Sequence, residues 1–243
     1  MTLIHRWKKV LALGCSHGCY ADPKALEAVL EFKRQFKPDT TIHLGDFVDV
    51  SALRGGAKGS NDEFEPLPPD IEGGLDFLEK LEPQVVMLGN HEDRIIRFQN
   101  SPNAILKYCA DTIMGDIYAT CDKLGAKLVG NWGNFQEYTM GGYRYMHGVY
   151  FNEMSCRDHA EAFGNVVFAH THRAGFMKGR RIDNPNGYCV GTLVDVRNMD
   201  YAKARRATLA WSQGFVWGYY TDGRSVLWLH EQPQNVDEWV LPV

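Results

Sequence analysis

The chain has no run of roughly 18 consecutive apolar residues, so it offers no candidate transmembrane helix and no membrane role is expected. Met1 to Lys9 carries basic residues without the apolar centre of a signal peptide. The six cysteines, at 15, 19, 109, 121, 156 and 189, form no Cys-x-x-Cys pair and no compact framework. They are expected to be reduced, which points to the cytoplasm. There is no excess of basic charge: 26 Lys and Arg against 30 Asp and Glu give a net charge of −4, so any nucleic-acid contact must be local. No internal repeat and no low-complexity tract is present. No Walker loop is found, and neither a nucleoside-triphosphatase nor a serine-hydrolase mechanism is expected.

What is present is ordinary globular usage, with 44% hydrophobic and 23% charged residues in 243, enough for a core that needs no covalent staples. Short apolar runs repeatedly end in residues able to bind a metal. Val10-Leu11-Ala12-Leu13-Gly14 meets Cys15-Ser16-His17, and Thr41-Ile42-His43-Leu44 meets Gly45-Asp46. Val85-Val86-Met87-Leu88 meets Gly89-Asn90-His91. Tyr143-Arg144-Tyr145-Met146 meets His147-Gly148, and Val166-Val167-Phe168-Ala169 meets His170-Thr171-His172. Such runs suit strands buried on both faces, and open α/β sheets place their sites at the C-terminal ends of strands.

Helical patterns lie between these runs. Asp22-Pro23 followed by Leu26, Val29, Leu30 and Phe36 predicts a capped helix. Ile71, Leu75, Leu78 and Leu81 predict a second, weakened by Gly73-Gly74. Ser101-Pro102 is expected to open a third, carrying Ile105, Leu106 and Cys109. The order predicts an α/β fold in a single domain, 1–243. A loop insertion is expected at about 52–70 and a C-terminal β-hairpin at about 214–230, turning at Asp222-Gly223.

His17, Asp46, Asp49, Asn90, His91, His147, His170 and His172 combine imidazole, carboxylate and amide oxygen, a donor set for first-row divalent metals. Two metals about 3.5–4 Å apart need a shared ligand, and Asp46 is the natural bridge. His43 is expected to be a buried or supporting histidine; His159 and His230 are expected to have no metal role.

These blocks resemble the calcineurin-like metallophosphoesterases. The similar motifs are Cys15-Ser16-His17, Gly45-Asp46-Phe47-Val48-Asp49, Gly89-Asn90-His91-Glu92, His147-Gly148 and Ala169-His170-Thr171-His172. The resemblance implies two mostly parallel or mixed β-sheets packed as a sandwich and flanked by helices. It implies two divalent metal ions, of zinc, iron, manganese or nickel: one held by position 15, His17, Asp46 and His172, the other by Asp46, Asn90, His147 and His170. It implies that His91 protonates the leaving oxygen and that Asp49 orients His91.

Cys15 departs from the family's Asp-x-His. Three readings stand: Cys15 ligates as a thiolate and favours zinc or ferrous iron; it is a spectator and the first metal keeps three protein ligands; or the chain is an inactive, binding homologue. Arg94 and Arg173 are candidates to hold the substrate phosphate. Val50-Ser51-Ala52 follows the second block where the related protein serine/threonine phosphatases carry Arg-Gly, which argues against a phosphoprotein substrate. The basic clusters Lys178-Gly179-Arg180-Arg181 and Lys203-Ala204-Arg205-Arg206 lie near Tyr188, Tyr201, Trp211 and Trp217, a composition able to bind single-stranded nucleic acid. The expected activity is metal-dependent hydrolysis of a phosphodiester of nucleotide or nucleic-acid type, with a broad phosphomonoesterase as the alternative.

Overall fold

The computed structural model describes residues 6–130, 132–199, 202, 206–233 and 238–242. Eleven strands form two sheets among these residues. The first sheet contains β1 (Lys8–Leu13), β2 (Thr40–His43), β3 (Val85–Met87), β4 (Lys127–Val129), β10 (Ser212–Thr221) and β11 (Arg224–Pro233), in the order β11-β10-β1-β2-β3-β4. The second contains β5 (Tyr138–Met140), β6 (Tyr143–Met146), β7 (Val166–Phe168), β8 (Gly175–Lys178) and β9 (Asn186–Cys189), in the order β5-β6-β7-β9-β8. β1 to β4 run parallel, as do β6, β7 and β9; the outer strands of each sheet include antiparallel ones.

The two sheets pack face to face. Val10, Ala12, Ile42, Val85 and Val216 from one meet Tyr145, Val167 and Val190 from the other. Side chains alternate along a strand, so Leu11 and Leu13 point the other way, into a cluster with α1 (Pro23–Phe36) and α2 (Leu67–Leu81). α3 (Asn90–Phe98) and α4 (Ala104–Leu124) cover the rest of that outer face, where Val86, Ile95, Ile113 and Ile117 share one cluster. α5 (Ser155–Phe163) covers the second sheet through Cys156 against Val166, Phe168 and Cys189. The resulting order is helix, sheet, sheet, helix. Burial on both faces is the reason the strand sequences read as unbroken apolar runs.

Asp22 caps α1 by accepting the Lys24 amide at 2.9 Å. α4 begins two residues later than Ser101-Pro102 predicts. Asn103 is its cap, accepting the Ile105 and Leu106 amides, while Ser101 Oγ accepts the Asn103 amide in the turn before it. α2 begins inside the 52–70 segment, at Leu67, and that segment also holds short 3-10 turns at Ser51–Leu53 and Asn61–Phe64. β10 and β11 pair over ten residues each, and β10 continues the sheet by pairing with β1. No helix among the described residues is long and apolar enough to cross a membrane.

Candidate dinuclear metal centre

The five chemistry-bearing segments leave the C-terminal ends of β1, β2, β3, β6 and β7 and meet in one crater between the sheets. Sharp main-chain turns aim them. Cys15, His17, Asp46, His170 and His172 all have positive φ, from 54° to 68°. That region costs a residue bearing a Cβ about 1–3 kcal/mol, so the surroundings must hold each one in place. A ladder between the first two strand ends does part of this: Cys15 N–H donates to Gly45 O, His17 N–H to Asp46 O and Gly18 N–H to Phe47 O, at 2.8–3.0 Å. Gly89 is required by close approach, since a Cβ there would lie 2.2 Å from Asp46 Oδ1 and 2.7 Å from His147 Nδ1.

Three overlapping sets of donor atoms result: Cys15, His17, Asp46 and His172; Asp46, His147 and His170; and His17, Asp49 and His91. Asp46 belongs to the first two. Its Oδ2 lies 3.1 Å from His147 Nε2 and 3.9 Å from His17 Nε2. Asn90 Oδ1 lies 2.9 Å from His147 Nε2 and 2.7 Å from His170 Nδ1.

The hydrogen-bond directions test whether a cation fits. His147 Nδ1 donates to Leu44 O at 2.8 Å, which leaves the Nε2 lone pair of a neutral ring facing two oxygens. His17 Nδ1 donates to the Asp49 carboxylate at 2.7 Å, so its Nε2 lone pair faces His172 Nε2 at 3.0 Å. Acceptors opposed at these distances repel one another unless a cation or a proton stands between them. The ionisation equilibria say the same. Burial alone would lower both histidines, but neighbouring carboxylates, Asp49 and Asp46 for His17 and Asp46 for His147, hold them above their ordinary range. Burial would raise Asp46, yet His147, His91 and His17 hold it well below the usual carboxylate range. The residues therefore offer donor sets that a divalent cation would fit in place of those protons. Cys15 is buried in the first set, where its Sγ accepts the His170 amide at 3.3 Å. Burial, then the charge of Asp46, push its thiol well up, so ligation as a thiolate needs a cation to draw off the proton.

His91 stands beside the shared carboxylate, with Nε2 3.8 Å from Asp46 Oδ2. Its Nδ1 donates to the main-chain oxygen of Asp49 at 2.6 Å, and the Asp49 carboxylate, 3.3 Å away, binds His17 more closely. Asp49 thus touches both rings, but it is the peptide carbonyl that fixes the His91 tautomer. Arg94 lies against the His91 ring, its Nη2 donating to Nε2 at 3.1 Å and its Nη1 to Asp49 O at 3.1 Å. Burial, with Arg94 among the lesser causes, brings His91 down to about 4.

Arg94, Arg97, Asn90, His170, Trp132, Val149, Phe151 and Gly55 line a cavity of about 420 Å³ that opens beside the centre. Arg173 is not among them. Its Nη2 donates to the Phe151 and Asn152 carbonyls, both at 2.7 Å, because the intervening turn presents these oxygens where the guanidinium ends. These contacts tie Arg173 to the loop at Phe151 and Asn152. Of the two basic clusters, Arg180 pairs with Glu161 and Arg181 with Asp183, while positions 203–205 and Tyr201 lie outside the described residues. Trp211 packs edge-on to His172 at 4.2 Å, and Trp217 packs on Phe32 and Phe36 in the core.

Residues 14–18 spell Gly-x-Ser-x-Gly, the pattern of a serine-hydrolase elbow. The geometry does not make a nucleophile of Ser16. It is buried, and its Oγ lies 3.3 Å from His43 Nε2. His43 Nδ1 accepts the Gly45 amide, so Nε2 is the protonated nitrogen and cannot take the hydroxyl proton. Burial brings His43 down to about 3.

Two acidic residues with no role assigned from sequence hold the Asp46–Val50 loop. Glu92 accepts the amides of Gly89, Asp46, Phe47 and Val48 at 2.7–3.2 Å. Asp70 accepts those of Asp49 and Val50 at 2.6–3.1 Å.

The family model for the calcineurin-like phosphoesterases matches residues 8–201, which include every residue of the crater. The chain belongs to the calcineurin-like phosphoesterases. It is similar to the Gene 54 proteins of Mycobacterium phages D29 and L5, 26% identical to each, over 86% of this chain and 87% of theirs. Among solved structures it is similar to an archaeal phosphodiesterase, at 12% identity and a TM-score of 0.49 over 91% of this chain and 99% of that one. It is also similar to Yfce, a phosphoesterase from E. coli, at 15% identity and a TM-score of 0.40 over 93% and 100%. A metal-dependent phosphoesterase of this family acts on phosphate esters, and the donor sets of the crater are those such chemistry needs.

Proposed function

We propose that the chain is a dinuclear-metal phosphodiesterase acting on nucleotide-type diesters in the cytoplasm. The observation that carries the reading is the pair of donor sets sharing Asp46, with His91 beside the shared carboxylate. Cys15, His17, Asp46 and His172 would hold one cation, and Asp46, Asn90, His147 and His170 the other. When bound, the cations acidify water and neutralise charge on the phosphoryl oxygens.

The protein's own groups do the rest. Arg94 meets the substrate phosphate from the cavity side, and its guanidinium leaves His91 Nε2 as it does so. The phosphate's negative charge then favours protonated His91, whose Nδ1–H stays on Asp49 O while Nε2–H faces the leaving oxygen and protonates it. Asp49 keeps His17 in the tautomer whose Nε2 points inward. Buried, unpaired thiols at 15, 121, 156 and 189 agree with a reducing compartment.

The cavity beside Asn90 and His170 favours a diester over a monoester, because it has room for a second substituent on the phosphate. The test is turnover of bis(4-nitrophenyl) phosphate against 4-nitrophenyl phosphate by protein stripped of metal and refilled with manganese, zinc, ferrous iron or nickel. Faster diester cleavage is expected. A preference for the monoester would support the broad phosphomonoesterase instead.

A further inference from the structure

We infer that Trp132 and Phe151 form an aromatic platform beside the metal centre that binds the base of a nucleoside phosphate. The inference rests on the proposed function and names the group its substrate carries. One wall of the 420 Å³ cavity carries Arg94, with Arg97 beside it paired to Asp93 at 2.7 Å; another is apolar, with Trp132, Val149 and Phe151; Asn90 and His170 close the end next to the metal site. A ligand that fills it has an anion at one end and a flat apolar group at the other, within a volume suited to a small organic molecule. The Trp132 and Phe151 rings stand 6.0 and 6.5 Å from the His170 ring.

Phe151 is 76% exposed, yet its main chain is firmly tied. Trp132 Nε1 donates to Gly148 O at 2.7 Å, the Val149 amide donates to His159 Nε2 at 2.9 Å, and Arg173 holds the Phe151 and Asn152 carbonyls. Three side chains from three parts of the sequence thus fix a five-residue loop whose most exposed ring, Phe151, lines the cavity. Order bound in advance reduces the entropy lost when a planar ligand stacks. Arginine beside aromatic rings is a combination that binds the phosphate and the π-face of a nucleotide together.

The experiment compares two diesters with the same leaving group, thymidine 5′-(4-nitrophenyl) phosphate and methyl 4-nitrophenyl phosphate, in the metal-loaded enzyme. Loss of one stacked base costs roughly 5- to 100-fold, so kcat/KM should favour the thymidine ester by at least about fivefold. In Phe151→Ala that ratio should collapse toward one; the exposed position makes misfolding no explanation. Equal kcat/KM for both esters in the wild type, or a ratio that survives Phe151→Ala, overturns the platform while leaving the diesterase standing. Calorimetric titration with thymidine 5′-phosphate and with inorganic phosphate separates the two claims in the other direction. Tighter thymidine 5′-phosphate binding that Phe151→Ala abolishes, without turnover of either diester, supports the platform and overturns the diesterase. Equal affinities overturn the platform.

Discussion

Glu92→Gln tests whether a buried carboxylate holds the metal-bearing loop. Oε1 accepts the Phe47 and Val48 amides and Oε2 those of Asp46 and Gly89. Glutamine fits the same space but offers one oxygen and one NH2 group. Whichever way the amide turns, two of the four N–H groups face a donor with no water to replace the lost acceptor. Each buried donor left unpaired costs about 1–3 kcal/mol. Part is offset, because burial and the neighbouring Asp46 charge disfavour the Glu92 carboxylate and push its pKa up. A net loss of about 2 kcal/mol is expected, read as a lower urea midpoint for metal-stripped protein at pH 8. Asp46 sits on the released loop, so metal affinity should also fall, by roughly 10- to 100-fold. An unchanged midpoint together with unchanged metal affinity would refute the argument.

His91→Ala should retain both metals and lose most activity on alkyl diesters, whose leaving oxygen needs a proton, while sparing 4-nitrophenyl esters; equal loss on both would remove His91 as the acid. In the wild type, alkyl-diester turnover should fall as pH rises through the His91 pKa in the substrate complex, and 4-nitrophenyl turnover should not follow it. Cobalt-loaded protein should show a thiolate-to-metal charge-transfer band that Cys15→Ser abolishes; a band unaffected by the substitution, or no band in the wild type, would make Cys15 a spectator. His159 is neutral in the fold, brought down to about 4 by burial, while an unfolded histidine titrates near 6.5. The unfolded chain therefore takes up a proton that the fold refuses, and stability present above about pH 6.5 is lost as pH falls toward 4, at up to about 1.4 kcal/mol per unit. His159→Gln should reduce the stability slope between pH 6 and 5 by about that amount, and an identical slope would refute the assignment.

The strands that end in donor residues, the β10–β11 hairpin and α1 were legible because their signals are local; β4, β5, β8 and β9, short and of mixed polarity, were not. Two-sided burial writes Val10–Leu13 as an apolar run, and Asp22-Pro23 announces a helix start. The crater was legible for a related reason: each donor ends a strand, and parallel strands bring their C-terminal ends together. What was missed depends on contacts between distant residues. Asp70 reaches Asp49 and Val50 across twenty positions, and no local pattern distinguishes it from a surface acid in the first turn of α2. The contacts of Arg173 with the Phe151 and Asn152 carbonyls likewise join positions more than twenty residues apart. α5 carries a mixed polar sequence whose apolar side is small, so Cys156 and Ala160 gave little periodic signal. Phe151 and Trp132 stand in segments without regular patterning, and only the fold shows that they share a cavity.

Metal content tests the central claim most directly. Elemental analysis of the protein after metal loading and desalting should find two divalent ions per chain in the wild type, and Asp46→Ala should lower the occupancy of both, because one carboxylate serves both donor sets. A wild type that holds a single ion, or an Asp46→Ala protein that loses only one of two, would contradict the shared dinuclear centre.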